Sequence, residues 1–358
     1  MSNYPHPIWR LTLSGDDITE RLEPRLIDLS LTDNRGLEAD ELCITLSDVD
    51  GALVLPSRGT QVRLFLGWED TGLIDKGTYT VDELEHSGAP DTLRIRARSA
   101  NLLAQTDEKK ERSWHNTTLG GIVSTIGKEN ALEAVISPDL ALVKIAHIDQ
   151  TDESDASFLT RLAADHDAIA TIKDGRLIFY KIGTGKTFSG LTLERVILTR
   201  MAGDQHRFQI TDRETAGEVK ACWYDAKACC KDSVCVPIPR TAPVSSGKKK
   251  DEKPKTLTLR HACRNKQDAL CRAKAAAERI ARGVATFSLS LALGRPDLMP
   301  ELPVSVRGFK PEIDGEDWLI TKVSHRLSNS GLTTDLELEL GLDSAADGGD
   351  ADGADSDF

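Results

Sequence analysis

Cys222, Cys229, Cys230 and Cys235 come nearest, in type and spacing, to a metal site. Thiolates bind zinc, and structural zinc sites usually pair their ligands in C-x₂-C knuckles. Here the spacing is C-x₆-C-C-x₄-C, and adjacent ligands fit a tetrahedron poorly. His261 and Cys263 are the nearest further donors. Thiols in strands or a loop are the preferred reading, and no metal is expected. Gly183-Thr184-Gly185-Lys186-Thr187 looks like the end of a phosphate-binding loop. The full pattern needs a glycine where Tyr180 stands and a helix where strand follows, so a tight glycine turn is expected. Trp114-His115 offers a general base, but no Ser or Cys sits in a nucleophile turn such as G-x-S-x-G. Packing or surface is the simpler reading. Glu83 and Glu85 flank Leu84 and share a strand face, as a glycosidase pair could. Solvated strand-face charges account for them better. Lys248, Lys249 and Lys250, with Lys253 and Lys255, read as a solvated loop rather than a site for nucleic acid or an acidic partner. Asp347, Asp350 and Asp352 lack the closing glutamate of an EF-hand. The expectation is no catalytic, cofactor-binding or metal-ligating residue, and no enzyme.

The elements that carry these residues are mostly short strands. In Leu93–Arg98, Leu93, Ile95 and Ala97 alternate with Arg94, Arg96 and Arg98, which puts one face in a core and the other in water. Ile27, Leu29 and Leu31; Leu42, Ile44 and Leu46; and Val62, Leu64 and Leu66 alternate likewise. Turn residues separate the runs, which predicts a β-barrel or sandwich. After Gln105 the texture changes. Thr117 or Thr118 caps a helix through Ile126, in which Gly120-Gly121 permits close packing. Ser154 or Asp155 caps a second, with Phe158, Leu159, Leu162 and Ala163 on one side. A hairpin follows, from Ala168–Ile172 through Asp174-Gly175 to Arg176–Tyr180. Strands return at Val196–Leu198, Phe208–Ile210 and Val219–Tyr224. Pro237 to Lys255 reads as a mobile loop. Lys266–Arg282 reads as a helix burying Ala269, Leu270, Ala273 and Ala277. Strands at 285–293, 304–306, 318–325 and 333–340 close the fold, and 343–358 is an acidic tail expected to be disordered.

The chain has 358 residues, enough for two or three domains. Its net charge of −12 argues against a protein whose task is to grip nucleic acid. No apolar run reaches the roughly 18 residues of a membrane span. The N-terminus lacks the pattern of a signal peptide, so cytoplasmic synthesis and reduced thiols are expected. Without helix–strand alternation, a doubly wound parallel sheet is not expected.

Several stretches resemble the late control D proteins, the tail or baseplate hubs of contractile-tailed phages. They are Leu46-Ser47-Asp48-x-Asp50-Gly51, Leu66-Gly67-Trp68, Gly77-x-Tyr79-x-Val81-Asp82-Glu83-x-Glu85 and Gly88-x-Pro90-Asp91-x-Leu93-x-Ile95 through Ala100. Arg112-Ser113-Trp114-His115, Thr118-Leu119-Gly120, Glu153-Ser154-Asp155-x-x-Phe158-Leu159-x-Arg161-Leu162-Ala163 and Asp174-Gly175-Arg176-Leu177 follow in order. The resemblance implies a mainly β fold with an α+β insertion, like the hub of T-even phages and the N-terminal part of VgrG proteins. Two related antiparallel β-barrels would occupy 1–104 and 187–342, the second interrupted by the loop 237–255 and the helix 266–282. A small α/β domain would occupy 105–186. It further implies a homotrimeric ring with pseudo-sixfold symmetry between tail tube and a separate central spike. Other baseplate proteins and the tape measure protein are further implied partners. DNA would pass through without specific binding, no membrane would be involved, and part of the negative charge would face the channel. A headless contractile device, or in another class a tail-associated peptidoglycan hydrolase, are the alternatives.

Overall fold

The computed structural model describes residues 5–99, 108–173, 175–185, 192–211, 216–225, 230–239 and 255–341. Alternating apolar residues place seven strands in the first region: β1 (Pro7–Leu13), β2 (Asp16–Asp17), β3 (Leu26–Asn34), β4 (Glu41–Ser47), β5 (Gln61–Trp68), β6 (Gly72–Ser87) and β7 (Thr92–Ser99). The short helix α1 (Thr19–Leu22) leads into β3. Leu29, Leu31, Leu42, Leu64, Leu66, Leu93 and Ala97 fill one core, each apolar side chain contributing about 1.5–3 kcal/mol on burial. Ile27 departs from its expected place: the register shifts between Leu26 and Asp28, which turns it outward.

Between residues 108 and 185 lies the mixed unit: β8 (Lys110–Thr118), α2 (Leu119–Glu129), β9 (Glu133–Ile136), α3 (Pro138–Ala141), β10 (Lys144–Glu153), α4 (Asp155–Asp165), β11 (Ala168–Lys173) and β12 (Arg176–Lys181). Thr118 caps α2 by accepting from Gly121 N–H, and Ser154 caps α4 by accepting from Ser157 N–H, both as expected. A Cβ on Gly120 would lie 2.8 Å from the Ala141 carbonyl, so this glycine lets α2 and α3 touch. β8 and β10 form one sheet, and β11, β12 and β9 another; both helices bury against them.

The last region holds β13 (Val196–Thr199), β14 (Gly203–Ile210), β15 (Ala216–Asp225), β16 (Cys230–Pro237), β17 (Lys255–Thr258), α5 (Lys266–Arg282), β18 (Ala285–Leu291), β19 (Pro303–Arg307), α6 (Pro311–Asp314), β20 (Asp317–Ser328) and β21 (Gly331–Leu340). Two corrections arise here. Val219–Tyr224 does not join the large sheet. β15 pairs with β16 and β17 in a separate sheet, whose Val219, Ala221 and Trp223 bury the alanine face of α5. Leu270 lies off that face and is exposed, while Ala269, Ala273 and Ala277, four apart, are buried.

The expected pair of closed barrels is also corrected. One sheet runs β14-β18-β21-β20-β3-β4-β7-β6-β5-β1-β2, with β19 on β20 and β13 on β19, and no sheet among the described residues closes on itself. The cause is β20. A bulge between Ile320 and Lys322 divides it; its first half pairs with β19, and its second half takes the outer edge of β3, Asn34 opposite Lys322 through Asp28 opposite Ser328. Two separate cores remain on this sheet, the second built from Phe287, Trp318, Leu289, Ile320, Leu336 and Leu338. Residues 100–107, 186–191, 226–229 (with Cys229), 240–254 and 342–358 lie outside the described residues, and with them most of the expected loop and the whole expected tail.

Candidate functional site

The residues singled out for chemistry are dispersed. Cys222, Cys230 and Cys235 lie along β15 and β16 opposite Ser233, Asp225 and Lys220, and Cys263 is buried beneath α5. Among the described residues no group of three or more His, Cys, Asp or Glu could hold a metal ion. Gly183 has φ +70°, which glycine alone adopts freely, and its N–H points to the Glu301 carboxylate at 3.4 Å. Glu83 and Glu85 are exposed on β6 and paired across the sheet to Arg96 (2.9 Å) and Arg94 (3.6 Å), as strand-face charges. Lys255 opens β17; Lys186, Thr187, Lys248–Lys250, Lys253, Asp347, Asp350 and Asp352 lie outside the described residues.

Trp114 packs on Phe158, with ring centroids 6.4 Å apart, and Arg112 lies over its face. His115 stacks on His147 across β8 and β10. His147 donates from Nε2 to Asp149 at 3.1 Å, and its Nδ1 lies 2.8 Å from Nδ1 of His115, so one imidazole donates to the other across that contact. Ser113 donates to the same Asp149 at 2.6 Å, and this hydrogen bond holds that carboxyl below its usual range. The chain of side chains borders a groove of about 1330 Å³ between β10, the end of α4 and the start of α5. On its far wall the Cys271 thiol meets His166 Nδ1 at 3.3 Å. Burial pushes the thiol up and the imidazole down, so both are neutral, unlike the thiolate of an activated nucleophile. The contact ties the end of α4 to α5.

The densest chemistry is a buried charge junction that the sequence did not disclose. Arg35 follows β3, Asp167 follows α4, Arg282 ends α5, Glu301 precedes β19 and Glu339 lies in β21. Arg282 grips Asp167 with both terminal nitrogens, one at 2.7 Å, and reaches Glu339 at 3.2 Å from Nε. Arg35 pairs with Glu301 at 2.5 Å and with the same Glu339 at 2.6 Å. Burial opposes charge on Arg282, but its bond to Asp167 and nearby carboxylates outweigh it and raise its affinity for the proton. Burial dominates at Glu301 and raises its pKa despite Arg35. Asp167 and Glu301 sit at φ +51° and +70°, a left-handed conformation that costs a non-glycine residue about 1–2 kcal/mol. Such strain persists where surroundings fix it, and here five ionic side chains do. Beside them Lys173 of β11 bonds Asp33 at 3.0 Å and also Asp40. The junction therefore fastens the mixed unit and α5 to both halves of the large sheet. Arg282 and Glu339 are the nearest of its pairs in sequence, and they lie in different elements with strands and a helix between them, so no local spacing marks them.

Comparison with known proteins assigns the fold and the family. The sequence profile of the phage tail baseplate hub family (GPD) matches residues 19–331. A probable baseplate hub protein of Escherichia phage 186 is 44% identical over 363 residues, covering 94% of this chain and 93% of the relative. Among solved structures, the 43 kDa tail protein of prophage MuSo2 from Shewanella oneidensis superposes with a TM-score of 0.67 at 15% identity, covering 93% of this chain and 98% of that one. The Escherichia coli c3393 protein, a type VI secretion component described as similar to T4 tail proteins gp27 and gp5, gives 0.51 at 14%, covering 89% and 74%. These two likenesses are of fold. With the profile spanning most of the sequence and a relative of such identity matched almost end to end, the chain belongs to the phage tail baseplate hub family.

Proposed function

We propose that three copies form a ring joining the tail tube to a separate central spike, as a structural part without catalysis. One observation carries this: the chain holds two six-stranded regions with the same strand order. In the first, β1, β3, β4, β5, β6 and β7 lie as β1-β5-β6-β7-β4-β3; in the second, β13, β14, β18, β19, β20 and β21 lie as β13-β19-β20-β21-β18-β14. Three chains then present six like units, which mate with a sixfold tube on one face and a threefold spike on the other.

The domain layout proposed on this basis keeps the first unit in 1–104, the mixed unit in 105–186 and the second in 187–342, with residues 216–282 as an insertion. The buried junction holds the four parts in fixed relation, which a component transmitting tail contraction needs. The carboxylates best placed to imitate a glycosidase pair, Glu83 and Glu85, are occupied by arginines, which supports the non-enzymatic reading. Six aspartates from Asp343 to Asp357 supply half of the net charge of −12. The remainder is available for a channel that lets DNA pass without holding its phosphates; a net-basic channel contradicts that part. Assembly takes place in the host cytoplasm, with other baseplate and tape measure proteins as further contacts, and the ring becomes part of the virion tail.

The test is native mass by light scattering, alone and with the candidate spike protein. A particle near three times 39.1 kDa that gains the mass of the spike supports the proposal. A stable dimer that ignores the spike contradicts it.

A further inference from the structure

The β3–β20 seam uses parts that both regions possess. By strand order β6 corresponds to β20, and β14 to β3. A shared irregularity fixes the correspondence. In β6 the register shifts between Val81 and Glu83, opposite Ala97 and Arg96; in β20 it shifts between Ile320 and Lys322, opposite Leu338 and Glu337. Glu83 therefore answers to Lys322, Leu84 to Val323 and His86 to His325. Counting across β4 and β18, Leu31 answers to Phe208.

Within the chain, the second strand of one region pairs with the fifth of the other. The reciprocal pair is left unmade. β14 ends the sheet, and among the described residues Glu83–Ser87 pair only with β7. Burial tells the same story. Leu31, Val323 and His325 are 0% exposed at the seam, whereas Phe208 and Leu84 are half-buried, His86 is exposed and Ile210 is 43% exposed. The loops agree. The loop after β18 accepts Trp68 Nε1–H on Gly294 at 2.8 Å and Lys76 on Pro296 at 3.0 Å, both from the β5–β6 hairpin of the first region. The matching loop after β4 leaves Val49, Val54 and Leu55 70%, 89% and 55% exposed.

We propose that β14 of one copy pairs antiparallel with the C-terminal half of β6 in the next copy, repeating between chains the seam that β3 and β20 make inside one. This rests on the ring of the previous subsection and specifies its interface. The register carried over sets Thr211 opposite Glu83, Gln209 opposite Glu85, Phe208 opposite His86 and Arg207 opposite Ser87. Phe208 and Ile210 then cover Leu84 and His86. Gln209 bonds Glu85 where Thr32 meets Ser324 in the internal seam, and Arg207 lies diagonal to Glu85. The loop bearing Val49, Val54 and Leu55 packs on the β19–β20 hairpin. The occupant is a second copy because each edge has its complement on this same chain. Such an interface joins unlike patches, so it propagates from chain to chain, and a rotation of one third of a turn per chain closes it as the ring of three.

The test is oxidation of the full chain carrying Glu85→Cys together with Gln209→Cys, beside each single variant as control for native thiols. The double variant is expected to give covalent dimers and trimers and nothing larger, in excess over either single variant. A second variant, Ile210→Lys, changes an exposed residue; it is expected to abolish the trimer while the chain keeps its native circular dichroism, and Leu142→Lys, exposed in the mixed unit, leaves the trimer intact. No covalent excess from a chain that light scattering shows to be trimeric overturns the seam and spares the ring. An unsubstituted chain that is monomeric at every concentration overturns the ring, and the seam with it. Equal depletion of the trimer by Ile210→Lys and Leu142→Lys overturns the seam as well, and points to another occupant of the edges.

Discussion

The two six-stranded regions share a strand order and a bulge in their fifth strands, but differ in core and in connections. The first fills its core with leucines and joins its second and third strands through the short link from Arg35 to Asp40. The second packs Phe287 against Trp318 at 5.3 Å and Phe309 at 5.2 Å, and places a whole sheet and helix in the corresponding link. Its first strand, β13, runs parallel to β19, where β1 runs antiparallel to β5. Strand order thus survives a change of core chemistry because the period-two pattern, rather than the identity of the apolar residues, selects the buried face. Only the second region carries an insertion at this link, yet both arginines of the buried junction, Arg35 and Arg282, come from it.

If the junction holds the regions together, breaking it has the largest effect. Arg282→Ala leaves Asp167 buried without its arginine, and Glu339 with Arg35 alone, and is expected to cost about 3–5 kcal/mol in urea unfolding. A loss under 1 kcal/mol shows that the regions are held by the strand seam alone. Core truncations sharpen the comparison. Phe287→Ala is expected to cost about 3–5 kcal/mol and Leu64→Ala about 2–5 kcal/mol. Because one sheet spans both regions, each should shift a single calorimetric transition; two transitions moving separately would mean that the regions unfold independently.

The paired histidines give the next effect. His325 is fully buried, its Nδ1 bonded to Thr334 at 2.9 Å, and burial pushes its pKa down to about 3. The unfolded chain then binds the extra proton first, so stability is lost as pH falls from about 6.5 toward 3. This group accounts for about 2 kcal/mol of loss between pH 7 and 5. His325→Gln should remove that share of the slope, measured by urea titration at both pH values; an unchanged slope contradicts the burial account. The smallest effect belongs to the exposed sheet face: Arg96→Ala, which breaks the pair with Glu83, should leave the urea midpoint nearly unchanged.

Local pattern revealed much of this molecule. The caps Thr118 and Ser154, the hairpin from Ala168 and helix Lys266–Arg282 follow from neighbouring residues and stand as read. Ile27 and Leu270 did not, because a bulge and a helical rotation of one position reverse a face without any change of composition. β8 and β10 escaped notice because polar residues such as Arg112, Gln150 and Asp149 interrupt their alternation. The charge junction and the β3–β20 seam depend on residues far apart in the chain, where short-range periodicity carries no information. The seam has a sequence trace only in hindsight, in His86 and His325 at matching places of two strands.

The most direct test of the central claim is an electron cryo-microscopy map of the purified assembly, reconstructed without imposed symmetry. The account predicts three chains in a ring with six like seams, three inside chains between β3 and β20 and three between chains joining β14 to Glu83–Ser87 of β6. A ring in which β14 and that half of β6 both face solvent, or an assembly with twofold symmetry, contradicts it.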